Sequence, residues 1–442
     1  MNSKAKWGGS VLLAVVTLLA STPSAHAYGP EGLFGGRPQP DSSISLGNPV
    51  EIKNDRPERA ESVLEHPRPD YDPVPVDIGS FELYPTLELG SAIDSNLYVT
   101  PNDERTDAIG TIRPIVNLFS DWSRHALAVT VFGDSNYYSQ RPDENYNNMV
   151  FDTNGRYDIA ADTWVAARGG YQRLAETRTS INASNGEVPT TLGYGKLGTS
   201  FYRGVGAVKL SVDYDYSRFD YDDTPADGGV IDGSVRNRNE HKAMGKVGYQ
   251  VSGNLKPYVR GSYNVRNYDH NDARNSDGYE TVAGVEADFG GITSVDVFAG
   301  WMEQYYDDFT GGKKDLSSPR IGGRVDWNVT GKTSVVLEAD RTVEETVLPE
   351  YNSYYQTGGS VTVTHELLRN VLLEGDLGYS HYDFNGTGDR EDDGFFSGVG
   401  ARYLINRSLY TDLFYNYERR YSTDDTAEFD RNTVMWRVGV HL

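Results

Sequence analysis

The chain has 442 residues, only 38% of them hydrophobic, with 31 Tyr, 47 Gly and no Cys. That is too polar for helical membrane spans but rich in residues that favour strands and tight turns. A formal charge of -23 argues against nucleic acid as a partner, and the lack of cysteine removes disulfides, thiolate catalysis and thiolate metal sites while suiting an oxidising compartment.

The N-terminus predicts an export signal over residues 1–27. Lys4 and Lys6 supply a positive start, Val11 to Ala20 an apolar core too short to span a bilayer, and Ala25-His26-Ala27 a cleavage site ahead of Tyr28. Residues 28–77 differ from everything after them: up to Val76 they hold nine of the 19 prolines and no sustained apolar periodicity. Such a segment is expected to be extended or disordered in the periplasm, either docking a partner, partly plugging a lumen, or serving as a passive leader.

Residues 78–442 are assigned to one closed antiparallel transmembrane β-barrel. Alternation begins at Phe81 and continues to Leu442; in TSVDVFAGW, Val295, Val297, Ala299 and Trp301 share one parity and Asp296 and Phe298 the other. The same holds around Leu337, for LLEGDLGYS, and for Val434, Trp436, Val438, Val440 and Leu442. Short connections fall at SDWSR, DIAADT, RGVG, SGNL, GGIT, TGK, LLRN and INR. Longer polar loops such as YSQRPDENYNN, RTSINASNGEVP, FNGTGDREDDG and YSTDDTAEFD lie between them. Eight paired turns plus one strand at each end predict 18 strands, with both termini and the short turns periplasmic and the long loops extracellular.

In a membrane barrel the apolar parity faces lipid. Leu127, Val129, Val131, Val212, Tyr214, Val247, Tyr249, Val297, Leu377, Leu413 and Tyr415 are placed there. The opposite parity supplies candidate lumen-lining residues. Arg156, Arg168, Lys196, Lys209, Lys246, Arg260, Arg266, Arg320 and Arg324 come mainly from earlier strands. Asp213 and Asp215 join them, and Glu286, Asp288, Asp296, Glu338, Asp340, Glu374, Asp376 and Asp412 come mainly from later ones. These charges either line water as separate basic and acidic walls or pair across neighbouring strands. In SVDYDYSRFDYDD the parity slips after Ser217, placing Phe219 and Tyr221 on the side of Asp213, so Arg218 to Asp223 are expected to leave the membrane as outer rim. Tyr pairs in NYYSQ, EQYYDDF and YNYERRY are expected in an outer aromatic girdle.

No catalytic constellation emerges. The eight His are scattered, and no G-x-S-x-G, H-E-x-x-H or Walker pattern occurs. DREDDG begins like an EF-hand loop, but its twelfth position is Gly400 rather than a bidentate Glu. The acids Glu374 and Asp376 stand two apart on one strand, but similar pairs recur on several strands and read as wall. No cofactor or metal is expected.

The stretch PDYDPVPVDIGSFELYPTLELGSAIDSNLYVTPNDERTD, followed by SDWSRHALAV and DIAADTWVAARGGYQRLAETR, resembles the outer-membrane β-barrel porin 2 family. The resemblance is clearest over the first five strands, and the terminal His441-Leu442 departs from the usual aromatic end. It implies a non-catalytic pore in the outer membrane of a Gram-negative bacterium, embedded in lipid and lipopolysaccharide. Members are often associated with exopolysaccharide gene clusters, so export of a polysaccharide beside a periplasmic polysaccharide-export protein is the implied role. A general diffusion porin for small hydrophilic solutes and a structural or adhesive barrel are the alternatives.

Overall fold

The period-two alternation is resolved by antiparallel pairing that closes on itself. The computed structural model describes residues 61–183, 186–307 and 315–442; the expected export signal and the leader as far as residue 60 lie outside these. In chain order the wall comprises β1 (Phe81–Asp94), β2 (Asp107–Ser120), β3 (Ala126–Tyr138), β4 (Tyr146–Ala160), β5 (Thr163–Ala175) and β6 (Thr191–Val205). It continues with β7 (Val208–Tyr221), β8 (Arg238–Tyr249), β9 (Leu255–Tyr268), β10 (Ser276–Phe289), β11 (Thr293–Tyr306) and β12 (Asp315–Thr330). The last six are β13 (Thr333–Glu345), β14 (Tyr351–Leu368), β15 (Val371–Gly386), β16 (Glu391–Asn406), β17 (Leu409–Ser422) and β18 (Phe429–His441). Each strand pairs with its sequence neighbours, and β1 pairs with β18 from Thr86 opposite His441 to Asp94 opposite Thr433, closing an 18-stranded barrel. Closure leaves no unpaired strand edge, which is what permits an all-β wall to stand in hydrocarbon.

All eight short connections expected from the sequence lie at one end of the barrel, and the longer ones at the other. The tightest are two residues long. At one of these Gly206 adopts a φ of 59°, a left-handed conformation that a side chain would disfavour. The shortest barrel strand, β8, has 12 residues. At about 3.3 Å per residue and a tilt of about 40° it covers roughly 30 Å of membrane normal.

The faces fall as the alternation implies. Val131, Val212, Tyr214, Val247, Tyr249, Val297, Leu337, Leu377, Leu413 and Tyr415 are exposed on the outer surface, whereas the opposite parity is buried or half-buried and mostly polar. The Tyr clusters differ: in YNYERRY, Tyr415, Tyr417 and Tyr421 all share the outward parity, whereas the pairs in NYYSQ and EQYYDDF divide between the two faces. Tyr137 points out and Tyr138 in, and Tyr306 is buried inside while its neighbour Tyr305 is outward, so one ring of each of these two pairs faces the interior.

Two expectations are corrected. β7 continues without a bulge through Arg218 to Tyr221, in register with β6 and β8. Phe219 and Tyr221 therefore turn inward with Asp213, and the apparent parity slip is an aromatic cluster with Leu192 and Tyr194 buried inside the barrel. Arg236 lies over the Tyr221 ring and Arg238 over Phe219, which satisfies these rings at a polar wall by cation–π contact. Second, FNGTGDREDDG is hardly a loop: the connection is residues 387–390 and β16 starts at Glu391. Its acids face opposite ways, with Asp392 held inside by Arg390 at 2.7 Å and Asp393 outside accepting from Tyr379 at 2.6 Å. That arrangement cannot converge on one cation.

Candidate functional site: the barrel interior

Inward-facing residues on adjacent strands stand about 5 Å apart, so long side chains reach one or two strands away. The candidate lumen residues are brought together by that reach, as paired charges rather than as separate basic and acidic walls. Arg320 on β12 donates to Glu280 on β10 at 3.0 Å and also pairs with Asp340 on β13. It passes β11 at Gly300, its register partner, where a Cβ would lie 2.0 Å from the Thr281 carbonyl oxygen. Arg260 shares Glu280 at 3.1 Å, and Phe298 lies between the two guanidinium groups as a cation–π partner of both. Arg324 pairs with Asp326 and Glu338, and Glu286 receives both Lys246 and Lys256. Asp296 accepts from Tyr258 at 2.7 Å.

Elsewhere on the wall Arg168 bonds Asp215 at 2.8 Å and the Ser200 hydroxyl, which itself donates to Asp213. Lys196 reaches Asp152 at 2.7 Å. Arg156 pairs with Asp158 and stacks on Trp164. Asp412 is held by Arg402 at 2.7 Å and by Arg437, which links through Glu88 to Arg113, so one network spans five strands across the closure. Asp376 accepts from the Thr362 hydroxyl at 2.7 Å and Glu374 from the Thr364 hydroxyl at 3.3 Å. Lys209 meets Asp162 at the short-turn rim. Asp288 is the exception to the interior placement: it is exposed at the end of β10 and accepts from the Gly291 N–H, capping a turn. Its parity is inward, but the strand has run out.

The largest feature that strand parity did not reveal is a loop inside the barrel. The connection between β5 and β6, with RTSINASNGEVP within it, was expected to extend outward; instead its described residues 176–183 turn into the lumen and touch several walls. Near its root, Glu176 pairs with Arg236 at 2.7 Å and Arg178 with Glu144 at 2.6 Å. Further on, the Thr179 carbonyl accepts from Arg420 on β17 at 2.5 Å. Asn182 donates to the Glu345 carbonyl at 3.2 Å and accepts from the Val347 N–H at 3.1 Å. Ile181 packs on Tyr351, Tyr354, Tyr382 and Phe384 of β14 and β15. A connection rooted between β5 and β6 reaches β13, β14, β15 and β17 only by crossing the interior. The inward turn has a physical cause: Asn182 finds two backbone partners and Ile181 an aromatic surface, neither of which is available in solvent.

The receiving wall is itself braced. Glu345 accepts from Arg266 at 2.5 Å and from the Tyr306 hydroxyl at 2.9 Å. Arg274 donates to the carbonyls of Thr346, Leu348 and Tyr351, folding residues 346–350 inward. Glu345, Asn182, Arg274 and Arg420 were missed by sequence reasoning, because nothing in strand parity tells whether a loop bends in or out.

At the short-turn end, residues 62–72 lie against the inner wall. Val63 is fully buried on Leu372 and Phe414, and Arg68 donates to Glu366 at 2.7 Å. Burial pulls the Arg68 guanidinium below its ordinary value and pushes the Asp72 carboxyl up, although each has an opposite charge beside it. Among the described residues no group of three or more His, Asp or Glu could hold a metal ion. Of the four strand histidines, His381 bonds Asp393, His441 bonds Thr86, His241 bonds Tyr214 and His365 bonds Thr333.

A closed 18-stranded barrel with an apolar exterior and a charge-paired, loop-crossed interior defines a porin-like channel of the Gram-negative outer membrane. The chain belongs to the family described as putative beta-barrel porin 2, whose model matches residues 68–442. Among solved structures, OpdL of Pseudomonas aeruginosa is similar at 11% identity, with 83% of this chain and 100% of that chain covered and a TM-score of 0.43. OccAB3 of Acinetobacter baumannii gives 10%, 83%, 100% and 0.44, and a BenF-like porin from Pseudomonas fluorescens Pf-5 gives 9%, 81%, 99% and 0.43. No curated protein matches the sequence.

Proposed function

We propose that the channel passes small hydrophilic solutes by diffusion through a lumen whose size limit is set by the loop 176–190. The observation that carries this reading is the loop's attachment to opposite walls, through Glu176 and Arg236 on one side and Asn182, Glu345 and Arg420 on the other. A loop held at both ends subdivides the lumen and limits solute width. Paired charges along the wall offer weak, repeated polar contacts rather than one trapping site. The short turns and both termini are assigned to the periplasm and the long loops to the outside. Export of a polysaccharide, beside a periplasmic export protein, is the second reading; it is favoured by the many inward Tyr and Arg side chains distributed over the wall, which suit a hydroxyl-rich chain.

Liposome swelling with sugars of increasing size separates the two. Diffusion predicts swelling with monosaccharides that falls off steeply with size, whereas absence of swelling with any sugar contradicts it. Loss of cell-surface polymer on deletion of the gene, with normal uptake of small solutes, would favour export instead.

A further inference from the structure

The segment 62–72 is built as a bound ligand of the barrel's own interior. From a three-residue strand, Val76–Ile78, paired with the start of β1, the chain runs backwards under β18, β17, β16, β15 and β14 to Ser334 at the start of β13. Arg407 in the turn after β16 donates to the Pro69 carbonyl at 2.7 Å. Arg68, 2% exposed, is the centre of the segment. Its guanidinium donates to Glu366 and to the Val63 carbonyl, both at 2.7 Å, and to the His66 carbonyl at 3.1 Å. Its own N–H donates to Asp72 at 2.5 Å, closing a turn. Ser62 and Glu65 form a reciprocal capping box, and the Val63 N–H donates to the Ser334 hydroxyl at 2.8 Å. Val63 then fills a notch between Leu372 and Phe414 on the inner wall.

Val63 and Leu64 on one apolar notch, Arg68 and His66 on the single carboxylate of Glu366, and two hydrogen bonds are a small set of contacts for a segment that crosses part of a pore mouth. They fix it in one place yet leave it separable from a wall that is complete without it, since every neighbouring strand is already paired on both sides. Glu366 has a second cation, Arg369, at 3.5 Å, which can hold its charge when Arg68 leaves. We propose that residues 62–72 are a gate: a strap that narrows the short-turn mouth when Arg68 is seated on Glu366 and widens it on release, with its own chain as the occupant. The gate rests on the channel reading above, and on no assumption about which solute passes.

The absence of cysteine makes the test direct. In the full-length protein, Val63→Cys with Leu372→Cys places two thiols where two side chains already pack, so oxidation should link them in the folded barrel. Single-channel recording in planar bilayers is then expected to show the oxidised protein held in the low-conductance level, with reduction restoring transitions to a higher one. Glu366→Gln, which keeps the shape and removes the charge, should raise the time in the high level on the order of tenfold. Failure of the cysteines to link in a barrel that still migrates as folded overturns the seated strap. Linkage with conductance equal in the oxidised, reduced and Glu366→Gln proteins overturns the gate while leaving the channel intact. A protein that conducts in none of these states contradicts the channel reading itself, and the gate with it.

Discussion

Arg320 shows what a charged interior demands of a single residue. Its side chain is 11% exposed and stands between Glu280 and Asp340, themselves 14% and 8% exposed. Removing the cation takes the guanidinium from Asp340 and leaves Glu280 to Arg260 alone, away from bulk water, which costs more than the pair contributes when complete. Arg320→Ala is therefore expected to destabilise the barrel by about 3 kcal/mol, read as a lower temperature at which the folded band converts on a detergent gel. Lys209 is the contrast: its partner Asp162 is 63% exposed at 3.6 Å, so Lys209→Ala should change that temperature little, in line with the roughly 0–1 kcal/mol of a solvated pair. Equal effects at the two sites would contradict the buried network. Alternation alone placed both residues on the inner face. It could not tell them apart, because partner identity depends on strand register and on gaps such as Gly300, neither of which is a property of one strand's own sequence.

The strands and their short turns were legible because each carries a local signal. The outer residues of β15 are an example: Leu373, Leu377 and Tyr379 alternate with Glu374, Asp376 and Ser380, and a one-residue slip would put carboxylates into lipid. Leu377 is 54% exposed near the middle of β15, so Leu377→Arg is expected to cost about 2–4 kcal/mol in a bilayer. Folding into vesicles followed by urea titration would measure it; an unchanged midpoint would mean that this face does not meet hydrocarbon. Longer connections were less legible. RTSINASNGEVP is polar enough for solvent, and its inward course depends on Ile181 and Asn182 meeting β13 to β15, residues about 160 to 200 positions later in the chain. The ends of β7 and β16 were misread for a related reason. At the long-loop end the interior becomes aromatic, so Phe219 and Tyr221 face inward where the lower part of the same strand presents Asp213 and Asp215.

At the scale of the molecule, closure, polarity and obstruction belong together. Eighteen strands enclose more space than side chains can fill, and the protein occupies that space with a cross-lumen loop at one end and a strap at the other. The inner wall carries paired charges, and in the proposed channel the two insertions decide how much of the path is open. On the reading proposed above, the loop 176–190 sets the width limit of an open channel. Single-channel conductance of the full-length protein, compared with a variant lacking residues 180–183, tests it most directly. The deletion removes Ile181 and Asn182 from the far wall without touching any barrel strand. The expected result is a stable conductance in the parent and at least a twofold larger one in the variant, with swelling extended to larger sugars. Identical conductance in two folded barrels, or none in either, would contradict the account.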